Sequence, residues 1–296
     1  MSEEEKSKKK KIGAKVKAKV ATKKAAHKAK KAEKAERKKP IEVFHEKLEK
    51  KSKQSKVAKF WINVAWCLVL LVWVFAVLYA SQFLIALFFV KVLNLSHDVL
   101  NSNATQAVYS AVTYVVAIVV TIFVPWCVVK FKTTRDELGL RGLPTWTDLL
   151  LAPIGFVVFM FVATIILAAL QKIVPGINWQ ESQDVGFNNL ITNGDFIVTF
   201  IMLVIVAPIA EEIIFRGWLY GKLRARIPAI PAILLVSVLF GIVHGQWNVG
   251  VTVFVMSIAM CVIRELTGTI WGGVLIHILK NGIAFYLLYV NPMMIQ

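Results

Sequence analysis

Two acidic side chains and an arginine lie together in an apolar stretch in the last third of the chain. The stretch reads Ala210-Glu211-Glu212-Ile213-Ile214-Phe215-Arg216-Gly217. In a helix Glu212 and Arg216 share a face one turn apart, whereas Glu211 points about 100° away and is left for a different role. Ionisable groups in hydrocarbon surroundings cost about 2.5–3.5 kcal/mol each on insertion scales. Their presence therefore predicts a functional site.

Two further polar pairs follow at the same one-turn spacing. Phe240 precedes His244 by four residues, and His277 precedes Asn281 by four. A carboxylate and an imidazole can activate water, and an amide or imidazole N–H can stabilise an oxyanion. Taken singly, each pair also has a structural interpretation, as a helix–helix contact or a satisfied core residue. Their convergence on consecutive apolar helices favours hydrolytic chemistry.

The composition places these residues in a membrane protein. The chain has 296 residues, of which 57% are hydrophobic, against roughly 45–50% in soluble domains. Residues 60–90 form a run of 31 without Asp, Glu, Lys or Arg, and a membrane helix needs only about 20. A soluble enzyme, a secreted disulfide scaffold and a wholly disordered chain are excluded. The three cysteines lie inside predicted spans and read as small apolar residues.

The apolar runs predict an all-α bundle of about seven transmembrane helices, or eight if one further helix is present. The spans are bounded by charged and turn residues. They are Phe60–Val90, Ala107–Val129, Leu149–Leu170, Phe196–Leu219, Ala229–Gly245, Val249–Ile263 and Thr269–Val290. The fifth and sixth are short. Because Glu211 lies towards one end of its span and His244 towards the other end of its own, a common site requires a tilted or broken helix.

Residues 1–59 form a lysine-rich tail with 23 Lys+Arg and 8 Asp+Glu. The segment from Lys8 to Lys39 has no aromatic residue and cannot bury enough apolar surface to fold alone, which predicts disorder or a transient helix. A polybasic segment beside a membrane span attracts anionic lipid headgroups. Without aromatic side chains for base stacking, a nucleic-acid partner is disfavoured.

Loop charges predict the orientation in the membrane. Loops 130–148 and 216–228 carry four Lys or Arg each, whereas the loops 91–106 and 171–195 are poor in basic residues. Basic loops stay on the cytoplasmic side. The pattern predicts a multi-pass protein of the cell membrane with a cytoplasmic N-terminus.

On these motifs the chain resembles the CAAX protease and bacteriocin-processing (CPBP, or Abi) family of intramembrane endopeptidases, which includes type II CAAX prenyl endopeptidases. The three family motifs, Glu-Glu-x-x-x-Arg, Phe-x-x-x-His and His-x-x-x-Asn, are complete and in order. Arg264, Thr267-Gly268 and Trp271 also match the usual context of the last motif. The resemblance covers roughly residues 135–290, which predicts a tail (1–59), N-terminal membrane helices (60–134) and a catalytic membrane domain (135–296).

The resemblance implies a role for each motif residue. Glu211 would be the general base and His244 its partner in activating water. His277 and Asn281 would stabilise the oxyanion. Glu212, Arg216 and Phe240 would support the site. The substrate would be a membrane-associated protein or peptide.

The residues leave a metal site open as an alternative, because two histidines and two glutamates could bind zinc. The chain has no His-Glu-x-x-His motif, and adjacent glutamates on a helix diverge. If His277 and Asn281 serve the oxyanion, only Glu211 and His244 remain as ligands. We therefore expect catalysis without a cofactor.

Two other functions compete with peptide hydrolysis. Some members of the family are tied to bacteriocin immunity, so a non-catalytic membrane scaffold or immunity factor is one alternative. A transporter with the buried acids as an ion relay is the other, although no inverted repeat is evident in the sequence.

Overall fold

The apolar stretches fold into seven helices. The computed structural model describes Lys24 and residues 56–179, 181, 185–187 and 190–292. In that part of the chain the apolar helices are α1 (Val57–Val92), α2 (Asn103–Val129), α3 (Trp146–Ile173), α4 (Asn193–Arg224), α5 (Ala229–Ile242), α6 (Trp247–Thr267) and α7 (Trp271–Val290). A single-turn helix, His97–Leu100, lies between α1 and α2. The predicted all-α membrane bundle is confirmed.

Helices α5 and α6 differ in length from the two short spans predicted there. The 14 residues of α5 extend about 21 Å at 1.5 Å per residue, less than the ~30 Å hydrocarbon core. The 21 residues of α6 are enough to cross it. Of the seven apolar helices in the described part of the chain, all except α5 have the length and composition of a membrane span.

The chain divides into two units, residues 1–58 and residues 59–296. The predictions of disorder and lipid contact for the lysine-rich tail lie almost wholly outside the described residues. The predicted boundary between residues 134 and 135 stays a prediction.

Side-chain caps set where two of the helices begin. Thr145 and Asp148 form a reciprocal capping box at the start of α3, and Thr192 and Asp195 form another at the start of α4. Each box satisfies backbone N–H groups that the first helical turn leaves without partners. Helix α6 ends at Gly268 with φ +74°, a left-handed conformation that favours glycine.

Helix α4 is central to the arrangement of the site. It packs against α2 on one side and α7 on another, while α3 packs against α6 and α7. Helices α5 and α6 approach closely at two glycines. A Cβ on Gly241 would lie 2.8 Å from the carbonyl oxygen of Gly250, so a larger residue would push the two helices apart.

The basic loops meet at one end of the bundle, which we call the basic end (residues 130–145 and 225–228). Lys222, near the end of α4, pairs with Glu137 at 2.9 Å. Trp271 donates to the carbonyl of Gly142 at 2.6 Å, tying loop 130–145 to the start of α7. The described residues of 174–192 meet the turn 243–246 at the other end, the cavity end. There Asn248 donates to the carbonyl of Glu181 at 2.7 Å.

Candidate active site

The acid pair lies in a short α-helical segment between two π-helical ones. Within α4, residues Ala207–Glu212 are α-helical, whereas Ile201–Val206 and Ile213–Leu219 are π-helical. Such wider turns are rare and frequently mark functional sites. They free backbone groups that need other partners in a membrane. The carbonyl of Leu203 accepts the side-chain amide of Asn281 at 2.8 Å, which docks α7 on this irregular part of α4.

Glu212 and Arg216 form a wholly buried ion pair. Arg216 Nη1 lies 2.8 Å from Glu212 Oε1, and both side chains have 0% exposure. The guanidinium also lies over the ring of Phe240, 4.1 Å from its centroid. A buried pair keeps its charges only when each is compensated by the other. The geometry suits the supporting role that the sequence predicts for these residues.

Glu211 has different surroundings from its neighbour, because its carboxylate points away from Arg216. Its Oε1 accepts a hydrogen bond of 2.7 Å from the hydroxyl of Tyr114 on α2. Its Oε2 lies 3.9 Å from Nε2 of His277. Among the described residues this buried oxygen has no hydrogen-bond partner. Oε1 of Glu211 is thus held by a hydrogen bond, and Oε2 is available to accept one.

His277 lies between the two carboxylates. Its Nδ1 is 3.1 Å from Glu212 Oε1, and its Nε2 faces Glu211. The ring is almost wholly buried. An ionised carboxylate can only accept, so Nδ1 carries a proton towards Glu212. In the neutral ring Nε2 then presents a lone pair on the side of Glu211.

Phe240 connects the two histidines. Its ring centroid is 4.9 Å from that of His244 and 5.8 Å from that of His277, both edge to face. The carbonyl of Phe240 lies 2.7 Å from Nδ1 of His244. A carbonyl only accepts, so Nδ1 donates and Nε2 of His244 is left as an acceptor in the neutral ring.

His244 lies just beyond the short fifth helix, in contact with the ring of Phe240. Helix α5 ends at Ile242, and His244 follows in the turn before Gly245, whose φ is +69°. The predicted span through residue 245 placed this histidine too far along a continuous helix. No direct hydrogen bond joins His244 to Glu211 in the described part of the chain. Phe240 lies between His244 and His277.

A cavity of about 460 Å³ opens beside His244 at the cavity end. His244, Asn178, Glu181, Trp247 and Asn248 are among the residues that line it. The indole of Trp247 is 72% exposed. Of the motif residues, His244 is the one that lines this cavity, which lies at the end of the bundle opposite the basic loops.

Two residues of the site were missed by the sequence analysis. Tyr114 lies in a span that carries no motif, and nothing in the sequence near it signals a contact with Glu211. Lys280 is three residues after His277 and interacts electrostatically with Glu211. Its charge inside a predicted span is a signal that could have been used.

Among the described residues no group of three or more His, Cys, Asp or Glu side chains is arranged to hold a metal ion. Glu212 is paired with Arg216, and Nδ1 of His244 is taken by a carbonyl. A zinc site formed by Glu211 and His244 alone would have too few ligands.

Comparison with known proteins agrees with the motifs. The family model described as Type II CAAX prenyl endopeptidase Rce1-like matches residues 193–283. The match begins at the first residue of α4 and includes all seven residues of the three motifs. The motifs, this match and the relative described below support a protein of the CPBP family. Helices α1, α2 and α3 lie outside the matched residues, so Tyr114 does too.

A curated relative of the chain also carries a peptidase name. It is "Putative membrane peptidase YdiL" of Bacillus subtilis (strain 168), 26% identical over 181 residues, which are 61% of this chain and 71% of the relative. No solved structure matches the chain. Family and relative together support a multi-pass membrane protease.

Proposed function

We propose that the chain is an intramembrane endopeptidase that hydrolyses peptide bonds of membrane-associated proteins or peptides. The proposal rests on Oε2 of Glu211, a buried carboxylate oxygen that has no hydrogen-bond partner in the described part of the chain and lies 3.9 Å from an imidazole nitrogen. A water within about 2.8 Å of both atoms fits that distance. General bases act at this range.

The reaction begins when the water attacks the carbonyl carbon of the scissile bond and its proton passes to Glu211 Oε2. His277 Nε2 accepts the second O–H of the water and so orients it, while His244 assists from the other side of Phe240. As the tetrahedral intermediate collapses, the C–N bond breaks and the proton held at the Glu211–His277 pair moves to the leaving nitrogen. The products are a carboxylic acid and an amine, and the enzyme returns to its first state.

The oxyanion is stabilised by Asn281 and His277. One N–H of the Asn281 amide is used by the carbonyl of Leu203, which fixes the side chain and leaves its second N–H for the substrate. His277 donates from Nε2 once it has taken up the proton from Glu211. One such donor typically contributes about 10²–10³ in rate.

The same proposal places the chain in the cell membrane with a cytoplasmic N-terminus, in contact with the bilayer and, through its tail, with anionic lipid headgroups. Helix parity puts loop 130–145 and segment 225–228 at one end, as the positive-inside pattern requires. The cavity end then faces outwards. Catalysis proceeds without a metal ion, so a chelator should leave the rate unchanged.

The proposal is tested by quantifying new protein termini in membranes of cells that carry the wild-type chain or Glu211→Gln. Glu265→Gln is the control, since Glu265 pairs with Arg224 at the basic end. Termini present with wild type and the control but lost with Glu211→Gln would support a protease and name its substrates. If the two profiles of termini are identical and Glu211→Gln still rescues a phenotype, the protease proposal is wrong and the scaffold or immunity function takes its place.

A further inference from the structure

We propose that Tyr114 is a positioning residue for the general base, acting through its hydrogen bond to Glu211. The inference rests on the proposed function and extends the site to a helix that carries none of the motifs. The hydroxyl lies 2.7 Å from Glu211 Oε1, across 97 residues of sequence. Hydrogen bonds to an ionised carboxylate are among the short and strong ones.

The hydrogen bond from Tyr114 gives the two oxygens of Glu211 different roles. Oε1 is occupied by Tyr114, whereas Oε2 has no partner among the described residues and faces His277. A glutamate has three side-chain torsions, so without a second contact its carboxylate could rotate away from the water. Tyr114 removes that freedom at little entropic cost, because a tyrosine has only two torsions of its own to fix.

The packing of helix α2 brings the Tyr114 hydroxyl to this position. Small side chains, including Thr113, Ala117 and Thr121, are buried along α2, and small residues let membrane helices approach closely. The indole of Trp73 on α1 lies within 3.4 Å of the carbonyl of Thr121. Helix α2 thus packs against α4 and contacts α1 two turns beyond Tyr114.

Positioning of a base affects the chemical step more than substrate binding. A carboxylate held within hydrogen-bond reach of the water needs no reorganisation as the reaction proceeds. Loss of the contact should therefore lower kcat and leave KM nearly unchanged. From the usual strength of a hydrogen bond to a charged group, the loss in kcat should be about 10- to 100-fold.

The test compares Tyr114→Phe with Tyr109→Phe in the purified full-length chain. Tyr109 is a matched control on the same helix, because its hydroxyl donates to the carbonyl of Gln82 at 3.0 Å and does not touch the acid pair. The probe is a peptide that spans a terminus lost with Glu211→Gln in cells. Both substitutions keep the ring, and thermal unfolding of each variant is measured alongside.

Tyr114→Phe should lower kcat with little change in KM, while Tyr109→Phe retains wild-type kinetics. In a Glu211→Gln background, Tyr114→Phe should lower the residual rate by less than about twofold, because residues that act as a unit are not additive. Wild-type kcat in Tyr114→Phe would overturn the inference. So would equal losses of kcat, binding and thermal stability in both tyrosine variants. A wild-type chain that cleaves nothing would overturn the proposed function and this inference with it.

Discussion

At the scale of single residues, the two neighbouring glutamates have different surroundings. Glu212 is wholly buried and paired with Arg216, whereas one oxygen of Glu211 has no hydrogen-bond partner among the residues that the structure describes. Removing one member of a buried pair leaves an uncompensated charge, which is costlier than losing the pair as a whole. Breaking the Glu212–Arg216 pair should therefore mainly lower stability, whereas substitution of Glu211 should mainly lower activity.

We expect Arg216→Met to destabilise the fold by about 3–5 kcal/mol, because Glu212 would remain buried without its counter-charge. Arg224→Met is the control, since the Arg224–Glu265 pair is about one-third exposed and such pairs contribute about 1 kcal/mol or less. Unfolding in mixed detergent micelles would measure both. Equal losses of stability in the two variants would show that the buried pair is not a structural requirement.

At the scale of helices, the contact between α4 and α7 aligns the site. Gly273 on α7 faces Glu212, and a Cβ there would lie 2.8 Å from Glu212 Oε2. The Asn281 amide holds the same two helices together two turns further along. Close approach at Gly273 is therefore a condition for His277 to reach both glutamates.

Gly273→Ala should reduce cleavage and cost about 1–3 kcal/mol of stability, because the added methyl displaces the Glu212 side chain. Gly282→Ala, on the same helix, is the comparison: its Cβ would meet only Val204, at an ordinary 3.6 Å. Thermal unfolding and cleavage rate are measured for both. If Gly273→Ala behaves like Gly282→Ala, the close approach does not align the site.

The same helices show what could be predicted from the sequence. Apolar length and one-turn spacing predicted the membrane helices and the motif residues that the structure brings near one another. The predicted span ended three residues beyond Ile242, because Val243 is apolar and hydropathy shows no break where the helix ends. The π-helical turns of α4 have no signature in residue type. The Tyr114–Glu211 contact depends on packing between distant segments, which a single sequence does not reveal.

At the scale of the whole molecule, the two ends of the bundle differ in charge and in access to the site. The basic loops lie at one end and the cavity beside His244 at the other. Under the positive-inside pattern, a substrate reaches His244 from outside the cytoplasm.

This sidedness predicts an asymmetric labelling pattern in a variant whose three native cysteines, Cys67, Cys127 and Cys261, are replaced by alanine. A membrane-impermeant maleimide should label Trp247→Cys on intact cells. Arg141→Cys, whose native side chain is 64% exposed at the basic end, should be labelled only after the cells are permeabilised. The reverse pattern would place the cavity on the cytoplasmic side and overturn the predicted orientation.

The most direct test of the central claim is the rate at which the purified full-length chain, reconstituted in liposomes, cleaves a peptide spanning a Glu211-dependent terminus. Glu211→Gln preserves the shape of the side chain but removes the base. We expect its rate to fall by about 10²–10⁴, with Glu265→Gln unaffected and the wild-type rate insensitive to chelators. Cleavage by Glu211→Gln at the wild-type rate would contradict the account.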